Sequence, residues 1–245
     1  MKSGFLKLVG TTTFIVGIFA IFVLSSGCSA MKNMVGNGNL VTSEKTVSTF
    51  EKITCTGFAN VKFHTSDKYR VVVTVDENLN EYVEIFTKNN ILNIEKKDGY
   101  NYKFTKLLID VYCPFLTGVE IIGASNFESV DKLIIPTFKA KVTGAGKING
   151  TVESETFSTE ITGVGEVTIV GKSKNANIRI VGSGNFNGKE LNTENATVNV
   201  TGSGIASIGV EKILKAEIKG SGEIAYRGNP NVISNSGGHG RIKTF

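Results

Sequence analysis

The stretch Ile178-Arg-Ile-Val-Gly-Ser-Gly-Asn-Phe186 contains the pattern that decides the fold of this chain. Apolar and polar residues alternate before two glycines that are separated by one residue, and the alternation resumes after them. Period-two alternation rich in Val, Ile and Thr is typical of β-strands, and no stretch sustains the 3.6-residue period of a helix. The Gly-x-Gly element lets the chain turn between two strands.

Six copies of this pattern follow one another from residue 121 onward, with a degenerate seventh copy around His239. Their leading glycines lie 18 to 21 residues apart, and such a near-constant step indicates stacked repeats. We therefore predict an all-β fold, a single-stranded parallel β-helix (β-solenoid) with coils of about 20 residues. The glycines that we predict as structural turns are Gly123, Gly144, Gly146, Gly163, Gly165, Gly182, Gly184, Gly202, Gly204, Gly220 and Gly222.

The region before these coils is also β-rich but less regular. We interpret residues 41–120 as irregular opening coils, or a cap, of the same solenoid, with the Gly-x-Gly coils at 121–245. A cap is expected because an open end exposes strand edges and apolar core. Since no linker rich in Pro, Gly and Ser separates the two parts, we predict one solenoid domain over residues 41–245.

The first 27 residues have the features of a signal peptide: a basic start, a short apolar run from Phe14 to Leu24, and small residues before Cys28. The small residue followed by Cys28 resembles the lipobox of bacterial lipoproteins. We predict lipidation of Cys28, with residues 28–40 as a flexible lipidated tether; ordinary secretion and an uncleaved anchor are the alternatives. The predicted location is the bacterial envelope, and Ser29, in place of an Asp, favours the outer membrane.

Composition narrows the classes of function. The chain has 245 residues, a formal net charge of +5 and two histidines, so a His-rich metal centre is not expected. No three consecutive residues are Lys or Arg, which indicates a dispersed basic surface and no nucleic-acid partner. The repeated glycines lack the strand-to-helix context of a dinucleotide fingerprint, and we predict no cofactor.

Parallel β-helices often cleave polysaccharides, and such cleavage requires positioned catalytic residues. Hydrolases need two positioned carboxylates, yet no Asp occurs after Asp131, and the glutamates of the coils follow the pattern of solvated strand faces. We predict that the chain is not an enzyme. A carbohydrate-active enzyme stays as an alternative hypothesis, because glutamates of neighbouring coils could converge.

Two groups of residues have both a structural and a functional interpretation. Cys55 and Cys113 lie in alternating apolar runs, where they form either buried free thiols or, after export, a disulfide. Tyr100, Tyr102 and Phe104 form the densest aromatic cluster, which serves either cross-strand packing or contact with a sugar or a partner protein.

Several segments together resemble a known family. They are Phe50-Glu-Lys-Ile53, Gly57-Phe-Ala-Asn-Val61, Val73-Thr-Val-Asp-Glu-Asn-Leu79, Asn90-Ile-Leu-Asn-Ile94 and the later Gly-x-Gly coils. In this order they resemble the bacterial family labelled putative auto-transporter adhesin, head GIN domain, over roughly residues 47–244. The resemblance implies an exported β-helical protein, often an envelope lipoprotein, and supplies no active site to carry over.

Two hypotheses about function from different classes follow. The first is a non-catalytic envelope lipoprotein, an adhesin or surface-binding module that contacts a glycan or protein through the faces of its solenoid. The second is a scaffold lipoprotein that faces the periplasm. The oligomeric state stays open, because no capping helix is evident after the last coil.

Overall fold

The computed structural model describes residues 31–245, which form strands almost throughout. The one helix of this part is a short 3-10 helix at Glu77–Tyr82. The strands are β1 Lys32–Val35, β2 Leu40–Lys45, β3 Lys52–Gly57, β4 Asn60–Thr65, β5 Arg70–Asp76, β6 Val83–Lys88, β7 Ile91–Lys96, β8 Tyr100–Lys103, β9 Leu107–Cys113, β10 Gly118–Gly123, β11 Asn126–Ser129, β12 Leu133–Ile134, β13 Thr137–Gly144, β14 Lys147–Gly163, β15 Glu166–Gly182, β16 Asn185–Gly202, β17 Ile205–Gly220, β18 Glu223–Arg227, β19 Asn231–Gly238 and β20 Arg241–Thr244.

The coils stack in parallel register, and the predicted β-solenoid is confirmed. Each leading glycine pairs with the leading glycine of the next coil, from Gly123 beside Gly144 to Gly220 beside Gly238. The solenoid has about seven turns with coils of about 19 residues. Its strands β14 to β17 are 16 to 18 residues long and run from one glycine corner to the next.

Each coil has a first face, formed by the segment that ends at the leading glycine, and a second face, formed by the segment after the second glycine. The Gly-x-Gly element is the glycine corner between them. Alternate residues of both faces point inward, and equivalent inward residues stack between coils. One such stack on the first face has every side chain at 0–1% exposure, and it consists of Val142, Ile161, Ile180, Val200 and Ile218. Burial of each of these side chains contributes about 1.5–3 kcal/mol.

The amino-terminal region differs from the predicted succession of opening coils. Strands β3 and β4 form a coil that pairs with β10 and β11, with Gly57 beside Gly123. On the other side of that coil lie β7 and β9, also in parallel. Residues 91–113 are therefore outside the coil at 52–65 although they follow it in the chain.

Antiparallel strands close this end. Strand β6 pairs with β7, β5 pairs with β9, and β2 pairs with β5, all antiparallel. Further parallel coils would leave another open end, whereas hairpins return the chain and cover the last core residues, such as Leu79 and Leu92, which are fully buried. The predicted cap is thus an antiparallel extension of the solenoid.

The predicted tether is partly ordered, which corrects our interpretation of residues 28–40. Strand β1 pairs in parallel with β8, and the amide of Gly36 donates to the carbonyl oxygen of Lys103 at 2.9 Å. This segment is held because the buried carboxylate of Asp76 accepts a hydrogen bond from the amide of Gly38 at 2.9 Å. The predicted signal peptide, residues 1–27, and the lipidation residue Cys28 lie outside the described residues.

Candidate ligand-binding corner

A cluster of aromatic residues lies at the glycine corner of the coil formed by β3 and β4. Phe58 occupies the middle position of Gly57-Phe58-Ala59, and its side chain is 37% exposed. This position points outward, because the chain reverses from the first face to the second at the corner. The equivalent residues of the next six coils are smaller, namely Ala124, Ala145, Val164, Ser183, Ser203 and Ser221.

The Phe58 ring is fixed by its neighbours. Its centroid lies 5.5 Å from that of Phe104 in an edge-to-face arrangement, and the ammonium of Lys96 lies 3.9 Å from the Phe58 centroid. Burial lowers the pKa of Lys96, and the nearby Cys55 opposes that effect. An amine held on a ring face contributes a cation–π interaction, so the two rings are presented as a rigid platform.

A cleft of about 250 Å³ opens beside this platform. The amide nitrogen of Asn126 donates to Oδ1 of Asn60 at 3.0 Å, which leaves the other amide group of each side chain available to a ligand. Thr105 and Lys106, both exposed, add a hydroxyl and an ammonium. The cleft lining consists of Phe58, Ala59, Asn60, Phe104, Thr105, Lys106, Leu107, Ala124 and Asn126. An apolar ring face bordered by amides suits a sugar ring, which has one apolar face and a rim of hydroxyls.

The three aromatic residues singled out in the sequence have different environments. Phe104 lines the cleft, whereas Tyr102 is 6% exposed and its hydroxyl donates to the carbonyl oxygen of Lys97 at 2.9 Å. Tyr100 is half-buried and packs 5.3 Å from Tyr82, centroid to centroid. Tyr102 stacks on Phe104 and Tyr100 packs against Tyr102, and neither tyrosine lines the cleft. Phe58 was not predicted from the sequence, although its size is a usable signal, because the same corner position holds a small residue in the next six coils and His239 in the seventh copy.

The predicted turn glycines fall into two structural groups. The leading glycines share a positive φ; they are Gly123, Gly144, Gly163, Gly182, Gly202 and Gly220. The second glycines lie against the preceding coil, where a side chain would meet packed atoms; they are Gly146, Gly165, Gly184, Gly204 and Gly222.

Cys55 and Cys113 are buried free thiols in this structure, not the disulfide that the sequence left open. Cys55 lies in β3 on the first face and Cys113 at the end of β9 on the second face. Each thiol has a separate partner: Cys55 donates to Oγ of Ser125 and Cys113 to the carbonyl oxygen of Phe115, both at 3.2 Å.

Polar side chains elsewhere do not form a recognisable catalytic arrangement. His64 Nε2 lies 3.0 Å from Oδ1 of Asp110, and the ring stacks on Tyr112. No Ser, Thr or Cys side chain within residues 31–245 is hydrogen-bonded to His64. Several coil glutamates bind basic side chains, such as Glu160 with Arg179 at 3.6 Å. The described part of the chain also contains no cluster of three or more His, Cys, Asp or Glu residues that could hold a metal ion.

The sequence matches the family described as "Putative auto-transporter adhesin, head GIN domain" over residues 49–230. The match covers most of the chain, and the chain therefore belongs to this family. A comparison with curated proteins finds no match. Within residues 31–245, no helix has the length and apolar character needed to cross a bilayer.

Solved structures have the same fold. A putative adhesin from Bacteroides fragilis aligns with a TM-score of 0.83 at 21% identity, covering 86% of this chain and all of that one. A putative adhesin from Parabacteroides distasonis aligns with a TM-score of 0.73 at 27% identity, covering 87% of this chain and all of that one. A putative lipid binding protein from the same species aligns with a TM-score of 0.74 at 26% identity, with the same coverage of both chains.

Proposed function

We propose that this protein is a non-catalytic envelope lipoprotein that binds a glycan at the aromatic corner. The observation that carries the proposal is the cleft beside Phe58 and Phe104, in which a fixed apolar platform borders two partly unsatisfied amides. Membership of an adhesin-like family and structural similarity to proteins named as adhesins support a binding role at the cell envelope.

The binding proposal is tested on a glycan array with three forms of the mature protein. The unsubstituted protein and Val164→Ala should bind the same neutral glycans, whereas Phe58→Ala should bind those neutral glycans at least ten-fold more weakly. Val164 is the matched control because it occupies the same corner position in another coil and is 65% exposed. Equal binding by Phe58→Ala, with folding verified by circular dichroism, would exclude this corner as the site.

The anchor is proposed to be a lipid on Cys28, with the protein attached to the outer membrane. Metabolic labelling with palmitate should label the wild-type protein and leave Cys28→Ser unlabelled. Label that persists in Cys28→Ser would contradict lipidation at this residue.

Exposure at the cell surface separates the adhesin from the periplasm-facing scaffold. Protease added to intact cells should digest the mature protein while a periplasmic marker survives. Survival of both until the envelope is permeabilised would favour the scaffold. Shortening of a polysaccharide by the purified protein would instead support a carbohydrate-active enzyme.

A further inference from the structure

The first face has a dent over Gly118 that is separate from the aromatic corner. Gly118 lies between Lys52 on one neighbouring strand and Lys139 on the other, in matched parallel register. Lys52 and Lys139 are exposed on the outer side of the first face, whereas Gly118 between them has no side chain and is buried at the bottom of the resulting gap. A cavity of about 210 Å³ opens at this interruption.

The charges around the dent are not balanced. Lys52, Lys139 and Lys141 line it together with a single carboxylate, that of Glu120. Glu120 Oε1 already binds the ammonium of Lys141 at 2.8 Å. Lys52 and Lys139 form no ion pair within residues 31–245, and their strands lie ~10 Å apart, two strand spacings, with the gap between them. The dent is therefore lined by two lysines, Lys52 and Lys139, that have no acidic partner within residues 31–245.

The backbone at the floor of the dent excludes one class of ligand. Ile53 and Val119 point into the core, at 1% and 3% exposure, so they contribute mainly backbone to the floor. Strands β3 and β10 are each paired on both sides, which leaves no free strand edge for a peptide. A ligand has to bind through side chains, which here are ammonium groups, the hydroxyl of Thr54 and the apolar side chain of Ile91. These groups match a sugar that carries a carboxylate and hydroxyls.

We propose that the dent over Gly118 is a second ligand site, which binds a uronic acid residue of an acidic polysaccharide with its carboxylate between Lys52 and Lys139. This site lies mid-strand on the first face, and its occupation does not require a ligand at the aromatic corner. An ammonium–carboxylate contact at such an open surface is screened by salt, so binding should weaken as the ionic strength rises.

Calorimetric titration of the mature protein in detergent micelles with oligogalacturonate tests the proposal. The double variant Lys52→Gln/Lys139→Gln should lose at least ten-fold in affinity. The control Lys215→Gln/Lys172→Gln removes the same charge at two other exposed lysines, and it should bind like the unsubstituted protein. Lys215 occupies the first-face position equivalent to Lys139 several coils away, so it matches Lys139 in strand position as well as in charge.

A second variant tests the shape of the dent without a change in charge. Gly118 has no positive φ, and a Cβ there would lie 3.0 Å from the carbonyl oxygen of Lys139, so Gly118→Ala needs only a small local shift. We expect a folded protein with weakened oligogalacturonate binding.

Unchanged binding by the lysine double variant, or an equal loss in the control, would overturn the site. Equal affinity for neutral galactan would overturn its selectivity for acids, and equal affinity for polyglutamate would overturn the assignment to a saccharide. Retained oligogalacturonate binding by Phe58→Ala would show that this site is independent of the aromatic corner.

Discussion

The two glycines of each corner meet two different steric requirements. The leading glycine, such as Gly182 with φ +117°, adopts a backbone conformation that L side chains rarely take, and a Cβ there would lie 2.5 Å from the carbonyl oxygen of Gly163. The second glycine, such as Gly204, makes a close approach: a Cβ would lie 2.6 Å from Cγ2 of Ile180 in the preceding coil. One requirement is conformational and the other is contact with the core.

The first coil of the regular series has a serine in place of the second glycine, and the small residue beneath it leaves room for that side chain. Ser125 stands where later coils have their second glycine, and it lies above Cys55, whose side chain is smaller than the Ile or Val found there in other coils. Oγ of Ser125 accepts hydrogen bonds from the Cys55 thiol at 3.2 Å and from the amide of Ala59 at 3.1 Å. The residue at the corner thus varies with the size of the residue beneath it.

Gly182→Ala should destabilise the protein by about 1–3 kcal/mol, because alanine at this φ is strained and its Cβ meets a carbonyl oxygen. The neighbouring exposed Ser183→Ala is the control and should change stability by less than about 0.5 kcal/mol. Urea unfolding followed by circular dichroism measures both variants. If Gly182→Ala unfolded at the same urea concentration as Ser183→Ala, the backbone of the corner would be able to shift and accommodate the new Cβ.

The buried thiols should be unreactive in the folded protein. Burial raises the pKa of Cys55 to about 11 and that of Cys113 to about 12. At pH 8 little thiolate forms, and the side chains are inaccessible. Iodoacetamide should therefore leave both cysteines unmodified in native buffer and alkylate them in denaturant, as measured by peptide mass spectrometry. Rapid native labelling of either peptide would contradict the closed packing.

At the scale of the element, one buried carboxylate joins the segments of the amino-terminal cap. Asp76 ends β5 with 0% exposure. Its Oδ1 accepts from the amide of Gly38 at 2.9 Å and its Oδ2 from the amide of Thr105 at 2.8 Å. Burial by itself would raise the pKa of Asp76, but the hydrogen bonds from Thr105, Gly38 and Lys106 outweigh it and hold the pKa below its usual value. The charged carboxylate is therefore the form that holds the cap together.

Because the folded-state pKa of Asp76 is lowered, its stabilisation is fully present above the unfolded pKa, about 4, and is lost as the pH falls through the folded value. Asp76→Asn should destabilise the protein by about 1–3 kcal/mol at pH 7, since an amide replaces one acceptor oxygen with a donor. Its stability should also fall less between pH 5 and pH 3 than that of the wild type. Asp67→Asn, in an exposed turn, is the control, and urea unfolding across this pH range is the measurement. An acid dependence of Asp76→Asn equal to that of the wild type would assign the effect to other carboxylates.

The elements that sequence reasoning found and missed differ in the range of their contacts. The Gly-x-Gly coils are predictable because each repeats the same local pattern against a neighbour about 19 residues away. The cap is not, because the position of β7 outside β3 depends on pairing between Cys55 and Ile94, and no local pattern encodes that order. The ordering of β1 likewise depends on a distant partner, β8. Phe104 was predicted as part of an aromatic cluster, whereas Phe58 was not, and its place at the site is defined by its contact with Phe104, which is 46 residues away in the chain.

At the scale of the whole molecule, the two ends of the solenoid are finished in different ways. The amino-terminal end is covered by antiparallel strands. At the other end, among the described strands, β19 pairs only with β17 and β20 only with β18. Two of the inward positions of this last coil hold Ser234 and Ser236, both exposed, where the preceding coil has Ala216 and Ile218. Hydroxyl groups thus replace part of the apolar surface that would otherwise face water, while Val232 and Ile242 of the same coil are half-buried against the core.

These serines predict how the open end behaves when its polarity is removed. In Ser234→Val/Ser236→Ile the apolar stack would continue to the end beside two unpaired strand edges, which is the arrangement that promotes association between chains. We expect this variant to self-associate at protein concentrations where the unsubstituted protein does not change its mass, as measured by sedimentation velocity over a concentration series. Asn235→Val lies between the two serines but points out from the first face, so it adds apolar surface without extending the core, and its mass should stay that of the unsubstituted protein. If the double variant also kept that mass, the serines would not be what limits stacking, and the unpaired edges of β19 and β20 would have to be protected by their geometry alone.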